Sequence, residues 1–403
     1  MAQNHGDVIR ISRRRALAGA GAAAVALTVV GLDSVAAFAA PDATANRGSR
    51  PVGYLYVNGN AAGANLVAGF ARAGDGSISP LPGSPIPVGG AGTGSALGSQ
   101  GAIQLSATGR FLLAVDGGSN GISVSRIKRD GSLQPVAGSP FPSGGVTPVS
   151  IAVHDDRIFV ANAGSGGSNY TGFILRPDGQ LDPLAGSTFV VPDGAGIGDV
   201  LLDSSGRHLI GIRVTTSLID SLTVGPGGVL RPATGSPFPA QAPGPFGSVF
   251  ARGRRRRLFV SNAHGGSLKG SVSAFAIAND GALTPIAGSP YPNQQTAPCW
   301  VALAPDGRYL FTANAGSDSI SSYRVNPDGS LTLVTSTGLR GGPGLGTFDL
   351  RLDPSGRFLY QVDGNKAEIS VLAVSGGSLS ELPASPFSLG LPAGAAPSGI
   401  AIV

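Results

Sequence analysis

"PDGRYLFTANAG", residues Pro305–Gly316, decides the fold: a turn, then an apolar run, then a polar stop. The chain writes the pattern again as "PSGRFLYQVDGN" (Pro354–Asn365) and "ATGRFLLAVDGG" (Ala107–Gly118). A short apolar run, "WVALA" (Trp300–Ala304), precedes the turn, and "YLFTAN" (Tyr309–Asn314) follows it. An alternating stretch comes next, "ISSYRV" (Ile320–Val325), and "NPDG" then closes a hairpin into "SLTLV" (Ser330–Val334). Period-two alternation and short apolar runs between turn residues predict strands. Asp-Gly between two strands predicts a two-residue type I′ hairpin.

The hairpin glycine recurs at Gly76, Gly131, Gly179, Gly228, Gly281, Gly329 and Gly377, at intervals of 55, 48, 49, 53, 48 and 48 residues. Four short strands in each unit of about 50 residues predict an all-β, seven-bladed β-propeller with antiparallel blades. No unit carries a long run of period 3.6, which excludes a helical solenoid. The first unit opens on its second strand, "GYLYVN" (Gly53–Asn58), and the missing innermost strand comes last, "SGIAIV" (Ser398–Val403). Joining the two closes the ring and covers a sheet edge that would otherwise be open. Between units stand "GSPIP" (Gly83–Pro87), "GSPFP" (Gly138–Pro142 and Gly235–Pro239) and "GSPYP" (Gly288–Pro292). There proline suits a chain leaving an outer strand, and the residue between the prolines is expected to wedge against a neighbouring blade.

Composition agrees with this reading. Of 403 residues, 64 are Gly and 31 Pro, with 13% charged and no collagen period, as in a turn-dense β protein. Cys299 is the sole cysteine, so neither an intrachain disulfide nor a cysteine-based metal cluster can form. No cofactor is expected, because no P-loop or dinucleotide motif lies between a strand and a helix. The hairpin turns lack the spaced carboxylates of a calcium loop. "GGSNG" (Gly117–Gly121) fits G-x-S-x-G but falls in a β-turn instead of a strand-to-helix elbow. "RGRRRR" (Arg252–Arg257) reads as a solvated basic turn without aromatic residues between its charges, so nucleic acid is not an expected partner. A monomer is expected, with a small-molecule or glycan ligand at the central channel or a protein partner.

At the N-terminus, "SRRRALAGAGAAAVALTVVG" sets Arg13, Arg14 and Arg15 before a small-residue apolar stretch, and Ala37-Phe38-Ala39 offers a cleavage site. The pattern resembles a twin-arginine export signal. The domain reading is a signal over residues 1–39, a linker over 40–51 and a propeller over 52–403. After cleavage no membrane span is expected, and the location is periplasmic or extracellular. Cleavage takes away Arg10, Arg13, Arg14, Arg15, Asp7 and Asp33, which leaves 24 basic and 21 acidic residues and lowers the net charge from +5 to +3. So mild a charge gives no argument for a polyanionic partner.

"PDGRYLFTAN" with "SISSYRVNPDGSL" resembles the lactonase family of seven-bladed propellers, which includes bacterial phosphogluconolactonases and fungal carboxymuconate-cyclising enzymes. The resemblance spans roughly residues 52–403. It implies a site at the channel mouth where inner strands begin and second strands end, with a histidine at the start of an inner strand. The matching positions here are Gly101, Val149, Gly198, Gly247, Cys299, Phe348 and Ser398, and none is histidine. The leading expectation is therefore an exported propeller that binds a small anionic or carbohydrate-like ligand, or a partner, at the channel mouth. The alternative is a lactone hydrolase or cycloisomerase with a rearranged site.

Two columns of residues face that mouth. The second strands end in Asn58, Asp116, Asn162, Arg213, Asn262, Asn314 and Asp363. Asn and Asp there are expected to serve turns through their own backbone, and Arg213 is the outlier. Near the start of the inner strands stand Ala102, Ser150, Asp199, Ser248, Trp300, Asp349 and Gly399, where small residues are the rule and Asp199, Trp300 and Asp349 depart from it. Arg351 shares a strand face with Asp349, so the two either pair between blades or face the channel. Arg213, Asp199 and Trp300 are the first candidates for ligand contact, with Asp349, Arg351 and His264 beside them. His264 in "SNAHGG" follows a second strand on the mouth side, whereas His154 and His208 fall by the opposite turns and read as structural.

Material recovered outside the cytoplasm should begin after Ala39 by mass spectrometry. Replacing Arg13, Arg14 and Arg15 by Lys should hold a folded precursor inside the cell, and an exported chain with Met1 intact would refute the signal.

Overall fold

A computed structural model describes residues 50–251 and 256–403. The predicted signal, most of the linker, and Arg252–Arg255 of the basic run lie outside the described residues. The chain forms seven antiparallel sheets arranged as blades. Blade 1 joins the C-terminal strand Ile400–Ile402 to Gly53–Asn58, Leu66–Arg72 and Ile78–Pro80. Blades 2 to 7 start from the inner strands Ile103–Leu105, Pro148–His154, Ile197–Leu202, Pro245–Phe250, Pro298–Leu303 and Thr347–Leu352. Closure is in register, with Leu55 opposite Ile402, Tyr56 opposite Ala401 and Val57 opposite Ile400. Buried Arg72 reinforces it, donating to the Val403 carbonyl at 3.1 Å while lying 3.8 Å from Asp353 of blade 7.

The outer strand differs from a single ribbon. In blade 1 it is two pieces, Ile78–Pro80 and Ile86–Pro87, both paired to Leu66–Arg72. Between them Ser84 of "GSPIP" uses its Oγ to accept the Gly69 N–H at 2.9 Å, filling the gap in the ladder. Ser139, Ser187, Ser236, Ser289 and Ser385 do the same for Val124, Gly172, Ser221, Ala274 and Val371. Blade 6 lacks the phrase and runs one longer outer strand, Leu331–Gly338, with a bulge. Tyr291 of "GSPYP" packs into the cluster that joins blades 5 and 6, and the Tyr323 hydroxyl of blade 6 reaches its carbonyl at 3.3 Å.

The expected type I′ hairpin is found only in part. In blade 7, Gly376 and Gly377 both take positive φ and separate the paired residues Ser375 and Ser378. In blade 1 five residues separate the paired Arg72 and Ile78; Gly76 N–H donates to the Ala73 carbonyl, and only Gly76 has positive φ. That is a type I turn followed by a left-handed glycine. Asp75 dictates this form, because its carboxylate accepts from both the backbone N–H and the hydroxyl of Ser77. Asp75 itself can then keep a negative φ, and the positive φ falls on Gly76.

The turn glycine also has a tertiary task. A Cβ on Gly131 of blade 2 would lie 2.3 Å from the Tyr54 ring, which stands at the start of blade 1's second strand. The same clash would set Gly179 against Phe111, Gly329 against Arg257, Gly377 against Tyr309 and Gly76 against Phe358. The aromatic of "GRF" or "GRY" in one blade thus lies on the "DG" turn of the next. Tyr56 and Tyr360 add hydroxyl bonds to the carbonyls of Gly131 and Gly76.

Gly131→Ala combines strained positive φ with a clash, whereas Gly63→Ala has a similar φ and open space around the added methyl. The overpacking term, about 1–3 kcal/mol, should therefore separate the two in denaturant unfolding. Equal losses would show that the seam yields to the methyl.

Candidate functional site in the central channel

The inner strands surround a cavity of about 610 Å³. Apolar side chains form its walls, including Leu105, Val153, Leu202, Val249 and Leu303. It reaches the turns between inner and second strands at Ala107, Pro305 and Pro354, the first and last of them exposed. At the other end stand Gln100, Gln104, Asp199, Ser248, Asp349 and Arg351. The channel thus has apolar side chains along its walls, a cluster of polar ones at one end, and Asp353 at the turn end.

Two carboxylates occupy that end. Asp199 lies between blades: its Oδ2 accepts from the backbone N–H of Ser248 at 2.9 Å and from that hydroxyl at 2.6 Å, and its Oδ1 accepts from Ser150 at 3.3 Å. Burial nonetheless pushes it up to about 7, the Ser248 bonds opposing and the charge of Asp349 adding to the rise. Asp349 is held less completely. Its Oδ1 accepts the Leu350 N–H at 2.9 Å, and its buried Oδ2 has no hydrogen-bond partner. Burial raises Asp349 to about 6, against the pull of Arg351 and of nearby backbone N–H groups. Arg351 makes no ion pair with it within 4 Å among the described residues; its guanidinium donates instead to Gln104 Oε1 of blade 2 at 3.4 Å.

The other candidates stand apart from the cavity. Arg213 forms a two-bond pair with Asp220 on the adjacent strand, Nε to Oδ2 at 2.7 Å and Nη2 to Oδ1 at 2.6 Å. Tyr170 of the preceding blade donates to the same carboxylate at 2.9 Å. Asp199, in contrast, lies opposite Ile212 and has no bond to Arg213. The outlier becomes intelligible from its column. Asp116 accepts from Ser123, Asp363 from Ser370, and Asn314 donates to Ser321, each seven residues on along the third strand. These three side chains therefore tie second strand to third, whereas Asn58 serves its own turn by accepting the Asn60 N–H at 3.3 Å, and blade 4 makes the tie with Arg213 and Asp220.

Trp300 is 5% exposed, edge-on to Phe246 with ring centroids 4.9 Å apart and tilted against Phe348 at 5.1 Å. Its indole N–H donates to the Ser99 carbonyl at 2.7 Å. His264 is exposed beside Gly244 and does not line the channel. His208 bonds Asp203 and the Asn279 carbonyl, and His154 bonds the Ser204 carbonyl, both at the turn face. Buried Cys299 has its thiol pushed up to about 12 by burial, which leaves it protonated and unreactive at neutral pH. Sequence reasoning missed Gln100 and Gln104. Gln104 was visible as the polar member of a column otherwise small or apolar apart from Arg351, but Gln100 lies before its strand and carries no periodic signal.

The raised carboxylates make stability depend on pH. Burial raises Asp116, Asp199, Asp349 and Asp363 above 3.8, Asp199 and Asp363 to about 7 and Asp349 to about 6. Between about pH 4 and 7 the folded state then binds more protons than the unfolded one, so stability falls as pH rises through this window. Asp75, Asp130 and Asp328 are lowered by their Ser hydrogen bonds and act in the opposite sense, only below about pH 4. The guanidinium midpoint should therefore be higher at about pH 5 than at about pH 8, and Asp349→Asn should shrink the difference. A midpoint that rises with pH would contradict the burial of these groups.

Comparison with known proteins agrees with the architecture. The family model described as "Lactonase, 7-bladed beta-propeller" matches residues 247–397. No curated protein matches the chain. Among solved structures, a 6-phosphogluconolactonase candidate from Bacteroides fragilis is similar at 20% identity with a TM-score of 0.69, covering 87% of this chain and 98% of its own. A second such candidate, from Bacteroides uniformis, is 19% identical with a TM-score of 0.69, covering 87% and 99%. The periplasmic gluconolactonase of Pseudomonas aeruginosa is 18% identical with a TM-score of 0.68, again covering 87% and 99%. Strand order and ring closure make this chain a seven-bladed β-propeller, and its residues 247–397 are similar to the lactonase propeller family.

Proposed function

We propose that the protein is an exported lactone hydrolase whose substrate, a small hydroxylated cyclic ester, sits in the central channel against Asp349 and Arg351. The observation that carries the reading is the unpartnered Oδ2 of Asp349, buried at the polar end of a cavity of about 610 Å³. A buried carboxylate with a free lone pair and a pKa near 6 is suited to take a proton from water at neutral pH. The water oxygen then bonds to the ester carbonyl carbon, and charge develops on the carbonyl oxygen. Arg351, on the same strand face, supplies donors for that oxyanion. The ring C–O bond breaks, and the leaving alkoxide takes the proton back from Asp349 to give a hydroxy acid. Gln104 offers its amide N–H groups to ring hydroxyls, and the apolar walls exclude bulk water. The Pseudomonas aeruginosa relative, a periplasmic gluconolactonase, supports both the substrate class and the export expected from residues 1–39.

Purified protein from residue 40 onward should open simple γ- and δ-lactones, followed by proton release. Its kcat should rise as pH passes about 6. Asp349→Asn should lower kcat by roughly 10²–10⁴-fold, and Arg351→Gln should lower it with a smaller change in KM. Turnover by Asp349→Asn equal to the parent protein would remove the assignment. Lactone binding without turnover would leave the channel as a binding site alone.

A further inference from the structure

The first interval between hairpin glycines, 55 residues, exceeds the commonest one by seven, and the extra chain lies in "GGAGTGSALGSQGA" (Gly89–Ala102). Its early part is fastened to blade 1, where Asn60 Nδ2 donates to the Ser95 carbonyl at 2.6 Å and Asn60 Oδ1 accepts the Thr93 N–H at 2.8 Å. The later part crosses the face where the inner strands begin. The Ser99 hydroxyl donates to Val149 of blade 3 at 2.8 Å, and the Ser99 carbonyl accepts from Trp300 of blade 6. Gln100 reaches three blades: its N–H donates to Gly198 of blade 4 at 2.9 Å, its Nε2 to Ser248 of blade 5 at 2.7 Å, and its Oε1 accepts the Val301 N–H of blade 6 at 2.9 Å. The Gly101 carbonyl then accepts the Ile151 N–H of blade 3 at 2.9 Å.

Residues 99–101 therefore bond to four blades besides their own. This chain needs glycine on both sides of the crossing. A Cβ on Gly101 would lie 2.9 Å from Ser150 Oγ, and one on Gly247 would lie 2.3 Å from Gln100 Oε1. The N–H and carbonyl groups that the inner strands leave at this end, which could meet a ligand in an open channel, are occupied by the protein itself.

We infer that the Ser99–Gly101 strap is a built-in stopper that makes the channel one-ended, and that Gln100 is a specificity-determining residue that forms its floor. Ligand then enters and leaves by the turn face, past Ala107, Pro305 and Pro354. The Gln100 side chain sets how deep a ligand can sit, and the second N–H of its Nε2, beyond the bond to Ser248, favours a hydrogen-bond acceptor over bare hydrocarbon. The specificity part rests on the reading of the channel as the ligand site, whereas the closure does not.

The test uses thiol labelling in a Cys299→Ala background, with Ala302→Cys placing one thiol on the channel wall. Ala107→Trp and Pro354→Trp narrow the turn face and should slow labelling by a small methanethiosulfonate reagent roughly tenfold or more. Adding Gln100→Gly to the narrowed protein should restore the rate by opening the other end. Trp300, the only tryptophan, reads the strap directly, and Gln100→Gly should raise acrylamide quenching of its emission. Undiminished labelling in the narrowed protein, with Gln100 intact, would show that the strap end is open and overturn the inference. So would a Gln100→Gly variant that changes neither labelling nor quenching. The rim substitutions retain Gln100, so closure is tested even if Gln100→Gly fails to fold. No arm requires turnover, so a failed lactonase assay leaves the outcome intact.

Discussion

Most blades lean on the next through one steric match: a bulky residue at the start of a second strand lies on a glycine in the following blade's outer hairpin. Tyr54 on Gly131, Phe111 on Gly179, Tyr309 on Gly377 and Phe358 on Gly76 are successive instances. The last of these joins blade 7 to blade 1 across the closing seam, whereas Gly228 of blade 4 rests on Leu184 beside blade 3's outer strand. The match explains why "GRF" or "GRY" and "DG" recur together: each is half of a contact whose other half lies in a neighbouring unit. A blade alone exposes both halves, and burying them needs the complete circle.

Closing the circle brings seven inner strands together and creates the channel. Small residues suit that convergence, so the larger polar ones are conspicuous. Asp199 is held by Ser150 and Ser248 and works as a tie between blades, while Asp349 keeps one oxygen unpartnered. Burial raises both carboxylates, the charge of Asp349 adds to the rise at Asp199, and such a pair is a source of instability at neutral pH. Retaining such a pair in the walls of a cavity fits the proton transfer proposed for this site. Arg213 shows how a similar observation can have another cause, since its charge is neutralised by Asp220 in a slot where the other blades use Asn or Asp.

The strap decides which end of this channel is covered. Resemblance places the site where inner strands begin, yet here that end is covered by Ser99–Gly101 and the polar groups face inward, toward the turn face.

The sequence by itself determined the number of blades, their phase and the closing strand. These follow from local signals, turn residues and short apolar runs, repeated often enough to be counted. Asp199, Asp349 and Trp300 were also legible as large residues in a column of small ones. What surrounds them was not. Trp300 meets Ser99 across 201 residues, and Gln100 reaches blades 4, 5 and 6, contacts that no periodicity encodes because they occur once. The pairing of Arg213 with Asp220 instead of Asp199 was likewise decided by strand register, which sets Asp199 opposite Ile212. Repetition makes the scaffold readable from the chain, while the site consists of the departures from repetition, and only the closed ring decides which departures meet.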